Sequence, residues 1–455
     1  MYFCLLALVV LWFGYKYFGH RLEKLFGANI HNIPVDYEQG KNNELRFLDY
    51  RQAQLAQMGI ITSVQVFFGA ILGIFYGPMQ IAWIVCGAIF LGATMSYFAG
   101  NYALHHNGQT LLKGIKKRYP NFYLLLLSFV LMTVMSGIAG AFSFIFHINY
   151  IAQGFSPIIY IYFAMILFIG LCVRQYFNFC AMLIGGIFVA VTCSFLLVSI
   201  NLLPNVNISL DMAVYPQFNY SYPLLFFVVS SGVLSGTSIL SGTLLAPSLK
   251  NEKMAKGVYF GASLFLAAAI IVWVMIFIAH NPDVTLLAKQ LYKFNHPYEF
   301  IDKVFLQHFN WLGYCVFYIA IIAASIGSGG MLLRLARQLI TETGFFSESK
   351  NKMLTVAIFV LAYIAYVFSF GFKVFDICNM FIATICLFAF ILYLREKHKK
   401  TVLYDFVSFF LLGICLAQTL FVFCNQTINV AAICGITFTL VLCLGWSIYL
   451  RWHRK

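Results

Sequence analysis

Apolar residues in this chain come in runs, and only short polar breaks separate one run from the next. The runs fall near residues 2–18, 58–76, 79–103, 122–147, 155–173, 177–203, 221–246, 257–279, 310–333, 353–370, 375–394, 404–424 and 428–450. A helix of about 20 apolar residues crosses the ~30 Å hydrocarbon core of a bilayer, and a helix satisfies its own backbone polar groups there. The pattern therefore predicts an all-α polytopic membrane protein with about 13 transmembrane helices. Residues 1–400 form the transmembrane core and 401–455 add two C-terminal helices to the same bundle. The first run has no basic segment before it and no small-residue cleavage site after it, so it is expected to stay as a helix.

Charge tests this count. With the N-terminus outside, 25 of the 29 Lys and Arg residues fall in inside segments, and only Lys289, Lys293, Lys303 and Lys373 lie outside. Basic loops resist translocation, so the bias supports thirteen crossings with the C-terminus in the cytoplasm. Of 455 residues, 62% are hydrophobic and 10% charged, which excludes an ordinary soluble domain. The net charge of +14 has no Lys/Arg block or RNA-binding signature behind it, so nucleic acid is not an expected partner. The expected partners are the lipid bilayer and a small-molecule solute; oligomeric state is not legible. Twelve cysteines include no CxxC pair, and neither a disulfide framework nor a metal site is indicated. Nothing resembles a P-loop, a HExxH motif or a carboxylate pair, so no catalytic residues are assigned and the chain is not read as an enzyme.

Inside the spans, ionisable groups are scarce; His147 and Asp376 sit near span ends. The spans offer small and hydroxylic residues instead. Gly69, Gly73 and Gly77 recur every four residues, with Thr62 and Gln65 on the same stripe, before Pro78 ends the helix. Gly92, Ser96 and Gly100 repeat the spacing in the third run. Such glycines equally serve close helix packing. In the seventh run Ser231, Ser235, Ser238 and Gly242 share a helical face, flanked by Thr237 and Ser241. Hydroxyls can bond back to their own helix, or join freed carbonyls in holding sodium or a polar solute. The ninth run carries Ser325-Ile-Gly-Ser328-Gly-Gly330, followed by Arg334 and Arg337, which are expected to snorkel or pair. Runs seven and nine are thus expected to be interrupted helices at similar depth, the sequence pointer to a secondary transporter with a midplane site.

Several segments in order resemble the carbon starvation protein A family in its shorter form. They are Gly69 to Gly73 with Tyr76-Gly-Pro78, Trp83 to Ala93, Ser235-Gly236, Lys250-Asn251-Glu252-Lys253 and Arg334-Leu-Ala-Arg337. The resemblance implies a leucine-transporter-like bundle of inverted five-helix repeats in a bacterial inner membrane. It also implies peptide or pyruvate uptake in response to carbon starvation, as a symporter coupled to a proton. The sequence departs from the family at Ser63-Val64-Gln65-Val66, where the helix is expected to run on unbroken, and at Met95-Ser96, Ser235 to Ser238 and Gly330-Met331. The last three departures each remove a titratable group, and of the family's stretch near Asn379 only that Asn remains. A proton relay needs groups that titrate, so sodium stands beside the proton as coupling ion, and no other cofactor is expected.

The resulting expectation is a secondary transporter whose solute site is lined by Thr62, Gln65, Ser96, Ser235, Thr237, Ser238 and Ser241. Ser325, Ser328 and Asn379 serve coupling or gating; Gly69, Gly73, Gly77, Gly236 and Gly330 are structural; Asn251, Glu252, Arg334 and Arg337 form cytoplasmic motifs. The alternative is a sensor or assembly partner that keeps the transporter scaffold without transporting.

Overall fold

The computed structural model describes residues 2–26, 47–63, 66–67, 69–71, 78–106, 108–118, 120–153, 158–203, 235–280, 305–367, 372–396, 401–422, 424 and 428–452. Ten helices among these are long and apolar enough to cross a membrane. We name the helices in chain order: α1 (Tyr2–Phe26), α2 (Tyr50–Ile61), α3 (Gln80–His105), α4 (Leu111–Arg118), α5 (Pro120–Gln153), α6 (Ile158–Leu171) and α7 (Arg174–Ser199). There follow α8 (Gly236–Gly242), α9 (Lys256–His280), α10 (Trp311–Thr343), α11 (Glu348–Val367), α12 (Phe372–Glu396), α13 (Val402–Val422) and α14 (Ile428–Trp452). Helix α6 is apolar but shorter than the ten, α4 is a short amphipathic connector, and α2 and α8 belong to two interrupted runs. Together these account for the thirteen apolar runs.

After α1 the helices form two sets of five: α2, α3, α5, α6, α7, then α8 to α12. In each set the first member covers only part of its apolar run: α2 ends at Ile61, and α8 begins at Gly236 after an extended Ser235. Helices α5, α6, α10 and α11 pack on one another, while α2, α3, α8 and α9 form a second group. Helix α7 lies between α2 and α10, and α12 joins α8 to α5 and α13. Helix α1 lies against α3 and α9, and α14 lies on α13. An aromatic cluster fills the bundle where Trp273 meets Phe67, Phe195 and Phe317, with ring centroids 4.9 to 5.5 Å apart. The indole N–H of Trp273 donates to Thr192 Oγ1 at 3.1 Å, so its polar edge is satisfied in the core.

Helix α2 crosses α7 at a pair of glycines. A Cβ on Gly59 would overlap the Ala181 carbonyl, and one on Gly185 would overlap the Leu55 carbonyl. Backbone therefore meets backbone at this seam, the use of small residues expected between membrane helices. Among the described residues, three single π-helical turns also occur, at Gly14–Phe18 in α1, Ala88–Gly92 in α3 and Lys256–Gly261 in α9. They belong to the three helices that pack together, with Phe18 edge-on to Phe90 at 5.4 Å and Tyr15 over Phe260 at 6.5 Å. The Thr94 hydroxyl donates to the Ile89 carbonyl at 2.9 Å, satisfying an acceptor within the widened turn of α3.

Two sequence expectations are corrected. The ninth run is not interrupted: α10 is a continuous helix through Ser325 and Gly330. Its glycines serve contact, since a Cβ on Gly330 would lie 2.6 Å from Ile169, and Gly329 and Gly327 abut Ile166 and Ile184. Conversely, the second run is not continuous. Helix α2 stops at Ile61 and Thr62 is extended, at φ −70° and ψ 129°. A turn closed by Val66 N–H donating to the Ser63 carbonyl at 3.1 Å follows before helix resumes.

Polar links gather the Lys/Arg-rich helix ends on one face. Arg334 and Arg337 donate to the carbonyls of Cys172 and Leu171, placing two cations at the C-terminus of α6. The Glu342 carboxylate accepts from both the N–H and the hydroxyl of Thr110, at 2.7 and 2.5 Å, and Lys116 donates to the Thr343 carbonyl at 2.9 Å. The segment after α8 and the first residue of α9 hold three elements at once: Lys250 pairs with Asp49, Glu252 with His105, and Lys256 with Glu23.

Candidate functional site

The two interruptions bring polar backbone into the middle of an apolar bundle, which lipid-exposed structure does not tolerate. At the end of α2 the last carbonyls have no intrahelical donor. Thr62 is fully buried there, and its hydroxyl has no hydrogen-bond partner. Gln57, one turn earlier, is buried with neither end of its amide bonded, beside Gly242 of α8, where a Cβ would lie 3.1 Å from Gln57 Nε2.

At the second interruption Ser235 is extended, at φ −96° and ψ 120°, and caps α8 by accepting from Ser238 N–H at 3.2 Å. The predicted helical face running from Ser231 through Ser235 is therefore not formed at Ser235. Asn379 reaches across from α12. Its amide N–H donates to Ser235 Oγ at 2.8 Å while its carbonyl accepts from Thr237 N–H at 2.8 Å. The Ser235 and Thr237 hydroxyls lie 3.1 Å apart. Gly236 permits this approach, since a Cβ there would meet the Asn379 carbonyl and the Ile382 side chain at 2.6 Å. Ser241 folds its hydroxyl back onto the Thr237 carbonyl at 2.7 Å. Ser238 alone of these four hydroxylic residues is not fully buried.

Of the residues singled out in sequence, the structure thus joins Ser235, Thr237, Ser238, Ser241 and Asn379 in one hydrogen-bonded cluster. Ser96 is buried on α3, which packs against α8. Ser325 is buried on α10 with an unpartnered hydroxyl; its carbonyl accepts from Ser328 at 3.1 Å. Helix α10 packs against both α2 and α8. Gly69 is buried where the second run resumes as helix. Gln65, Gly73, Gly77 and Ser231 lie outside the described residues, as do the side chains of His147 and Asp376. Asn251 Oδ1 accepts from Met254 N–H at 3.2 Å, which turns the chain into α9. No group of three or more metal-ligating side chains occurs among the described residues. Sequence reasoning missed Gln57; a lone amide one turn before an unrecognised break gave no periodic signal.

Solved structures share the overall fold. The chain is similar to MhsT in complex with L-phenylalanine, with a TM-score of 0.59 and 14% identity over 88% of this chain and 100% of that one. A manganese transporter from Eremococcus coleocola matches with a TM-score of 0.56 and 11% identity, over 92% and 99% of the two chains. A Na+-coupled sialic acid symporter in a substrate-bound outward-open state matches at 0.50 and 10%, over 97% and 95%. Their common architecture is the leucine-transporter fold. This chain has it, inverted repeat included; the apolar runs predict the helical membrane bundle, whereas the inverted repeat is expected only through the family resemblance. No family model matches the chain. An uncharacterized membrane protein of Haemophilus influenzae is 33% identical over 110 residues, which is 24% of this chain and 29% of that relative. The chain thus aligns with less than a third of that relative's length. The resemblance to the carbon starvation protein A family is overturned, because the matching structures are other transporters of the leucine-transporter fold. The starvation link and the peptide and pyruvate substrates rested on that resemblance and fall with it.

Proposed function

We propose that this protein is a sodium-coupled secondary transporter of a small polar solute, with its site between the interruptions preceding α8 and following α2. The observation that carries the proposal is the pairing of those interruptions with buried oxygen atoms that lack partners. Helix ends and unwound carbonyls at the midplane of inverted repeats coordinate ions and substrates in this kind of architecture. Thr62 Oγ1, at the break after α2, and Ser325 Oγ, on α10, are neutral, buried and unpartnered, and α2 and α10 pack together. No Asp, Glu or His occurs in the sequence between Gln52 and Leu104, between Met212 and Leu249, or between Phe309 and Leu333. Neutral oxygens carried by stretches free of carboxylate and imidazole suit a sodium ion better than a proton.

The site also limits the solute. Two of the N–H groups in the first turn of α8, those of Thr237 and Ser238, are already taken by Asn379 and Ser235. They do not stand open to a carboxylate, and the half-buried Ser238 supplies the hydroxyl that would meet a solute. The asymmetry of basic residues favours the Lys/Arg-rich face as the cytoplasmic one, in a bacterial inner membrane with the N-terminus outside.

The test uses sodium alone. Thermal stability of the purified protein is measured in NaCl, KCl and choline chloride at equal ionic strength. Binding to the native state stabilises by about 2.7 kcal/mol at 100 times the dissociation constant. A sodium-specific increment that Ser325→Ala and Thr62→Val remove, with stability in KCl unchanged, is the expected result. Equal stability in all three salts would rule out sodium as the coupling ion.

A further inference from the structure

Helix α12 is fastened to the interrupted-helix group at two levels. In the middle of the bundle, both ends of the Asn379 amide bond the residues that begin α8, and Gly236 lets the two backbones touch. Asn379 is fully buried, so releasing these bonds without replacement leaves polar groups dry and unbonded. Toward the Lys/Arg-rich face, Phe390 of α12 lies 4.7 Å from Phe98 of α3, and Tyr393 lies 5.2 Å from the same ring. Phe26, at the end of α1, closes this cluster, 5.5 Å from Tyr97 and 5.9 Å from Tyr393. Helix α12 also packs closely on α5 of the other group, with Phe381 edge-on to Phe129 at 6.2 Å and the Cys378 thiol bonded to Thr133, but among the described residues no buried polar side chain of α5 bonds it at both ends as Asn379 bonds α8.

We infer that Asn379 is a positioning residue that makes α12 travel with α3 and α8 as one body when the transporter changes its accessible side. The inference rests on the transport reading above. Helix α12 then slides over α5, and the bundle parts along that surface. Asn379 touches no solute in this account. It acts by holding the break before α8 in the shape that Ser235 caps, and by transmitting the movement of that break to α12. Phe26 extends the same unit to α1, outside the two five-helix sets.

The test reads distances between spin labels on the full chain, with the exposed cysteines Cys86, Cys193, Cys315 and Cys424 replaced by alanine. Labels replace exposed residues on the Lys/Arg-rich face: Lys253 before α9, Glu396 at the end of α12 and Lys350 at the start of α11. Between NaCl and KCl the Lys253–Lys350 distance is expected to shift by several ångströms while the Lys253–Glu396 distance stays fixed. Asn379→Ala frees α12, so the second distance shifts or broadens too. Asn379→Asp keeps an acceptor for Thr237 N–H and lets Ser235 donate, so it preserves the fixed distance. Phe26→Ala loosens the second level and gives an intermediate broadening, which serves if Asn379→Ala does not fold. A Lys253–Glu396 distance that shifts as much as Lys253–Lys350 in the unmutated chain, or one indifferent to every substitution, overturns the inference. No shift in either pair between the two salts withdraws the sodium-driven cycle itself, and the inference with it.

Discussion

The seam between α2 and α7 makes a quantitative demand on two adjacent glycines. Gly185 faces α2, and a Cβ there would overlap the Leu55 carbonyl and lie 2.9 Å from Gly59 N. Gly186, the next residue, has nothing within 4 Å of a Cβ. Both sit inside the same helix, so the intrinsic gain from Gly→Ala, about 0.5–1 kcal/mol, is common to them. At Gly186 only that gain operates, and Gly186→Ala is expected to be neutral or slightly stabilising. At Gly185 the methyl group must push one backbone away from another, and overpacking a tight contact costs about 1–3 kcal/mol. Neither backbone can yield by changing rotamer, which puts the cost toward the upper end. The two variants share the helix gain, so they are expected to differ by the packing cost alone, roughly 2–3 kcal/mol. Thermal or denaturant unfolding of each purified variant measures this directly. If Gly185→Ala proves as well tolerated as Gly186→Ala, the backbone contact at the seam does not exist and the placement of α2 on α7 is wrong.

Other expectations follow from the same geometry. Arg337→Ala strips a cation from the α6 C-terminus and should lower stability by about 1 kcal/mol, read as earlier thermal unfolding, while Arg337→Lys restores part of it. Asp49→Asn should change stability by less than about 1 kcal/mol, because both partners of its pair with Lys250 are solvent-exposed; a large loss in a melting experiment would contradict this. Glu342→Gln weakens charge-assisted bonds from Thr110 and should destabilise by about 1–2 kcal/mol, measured by the same unfolding assay, with Thr110→Val non-additive with it. Gly344 ends α10 at φ +73° with open space around it, so Gly344→Ala should cost about 1 kcal/mol through backbone strain alone, and Gly344→Asn less.

The spans were legible because lipid imposes a length and a composition that nothing else in a sequence imitates. The interruptions were harder to place. Serine and glycine in the ninth run carry the same composition as a broken helix, yet there they admit Ile169, Ile166 and Ile184 against an unbroken α10. The true break after Ile61 has no proline and no glycine at its centre, so nothing local announces it. What decides between the two is the neighbour: a glycine facing a bulky aliphatic side chain is spacing, and an extended threonine is a break. The cluster around Asn379 was half visible, since each residue looked polar in an apolar context, but the partnership spans 142 residues between Thr237 and Asn379 and no sequence period encodes it. Family likeness in short glycine-rich motifs misled for the same reason, because such motifs report close packing that many membrane bundles share.

The widened turn at Ala88–Gly92 has a consequence for register. A π-helical turn holds one residue more than the surrounding helix, and each residue of an α-helix turns the chain by about 100°. Removing one residue from 88–92 would let the turn relax to ordinary helix while rotating everything beyond it. Gly100 would swing off the Tyr259 ring that it now touches, and Phe98 would leave Phe390. The extra residue thus sets the azimuth of the second half of α3. A shorter relative would have to build its contacts with α9 and α12 from a different set of side chains, even with every other position in the helix unchanged.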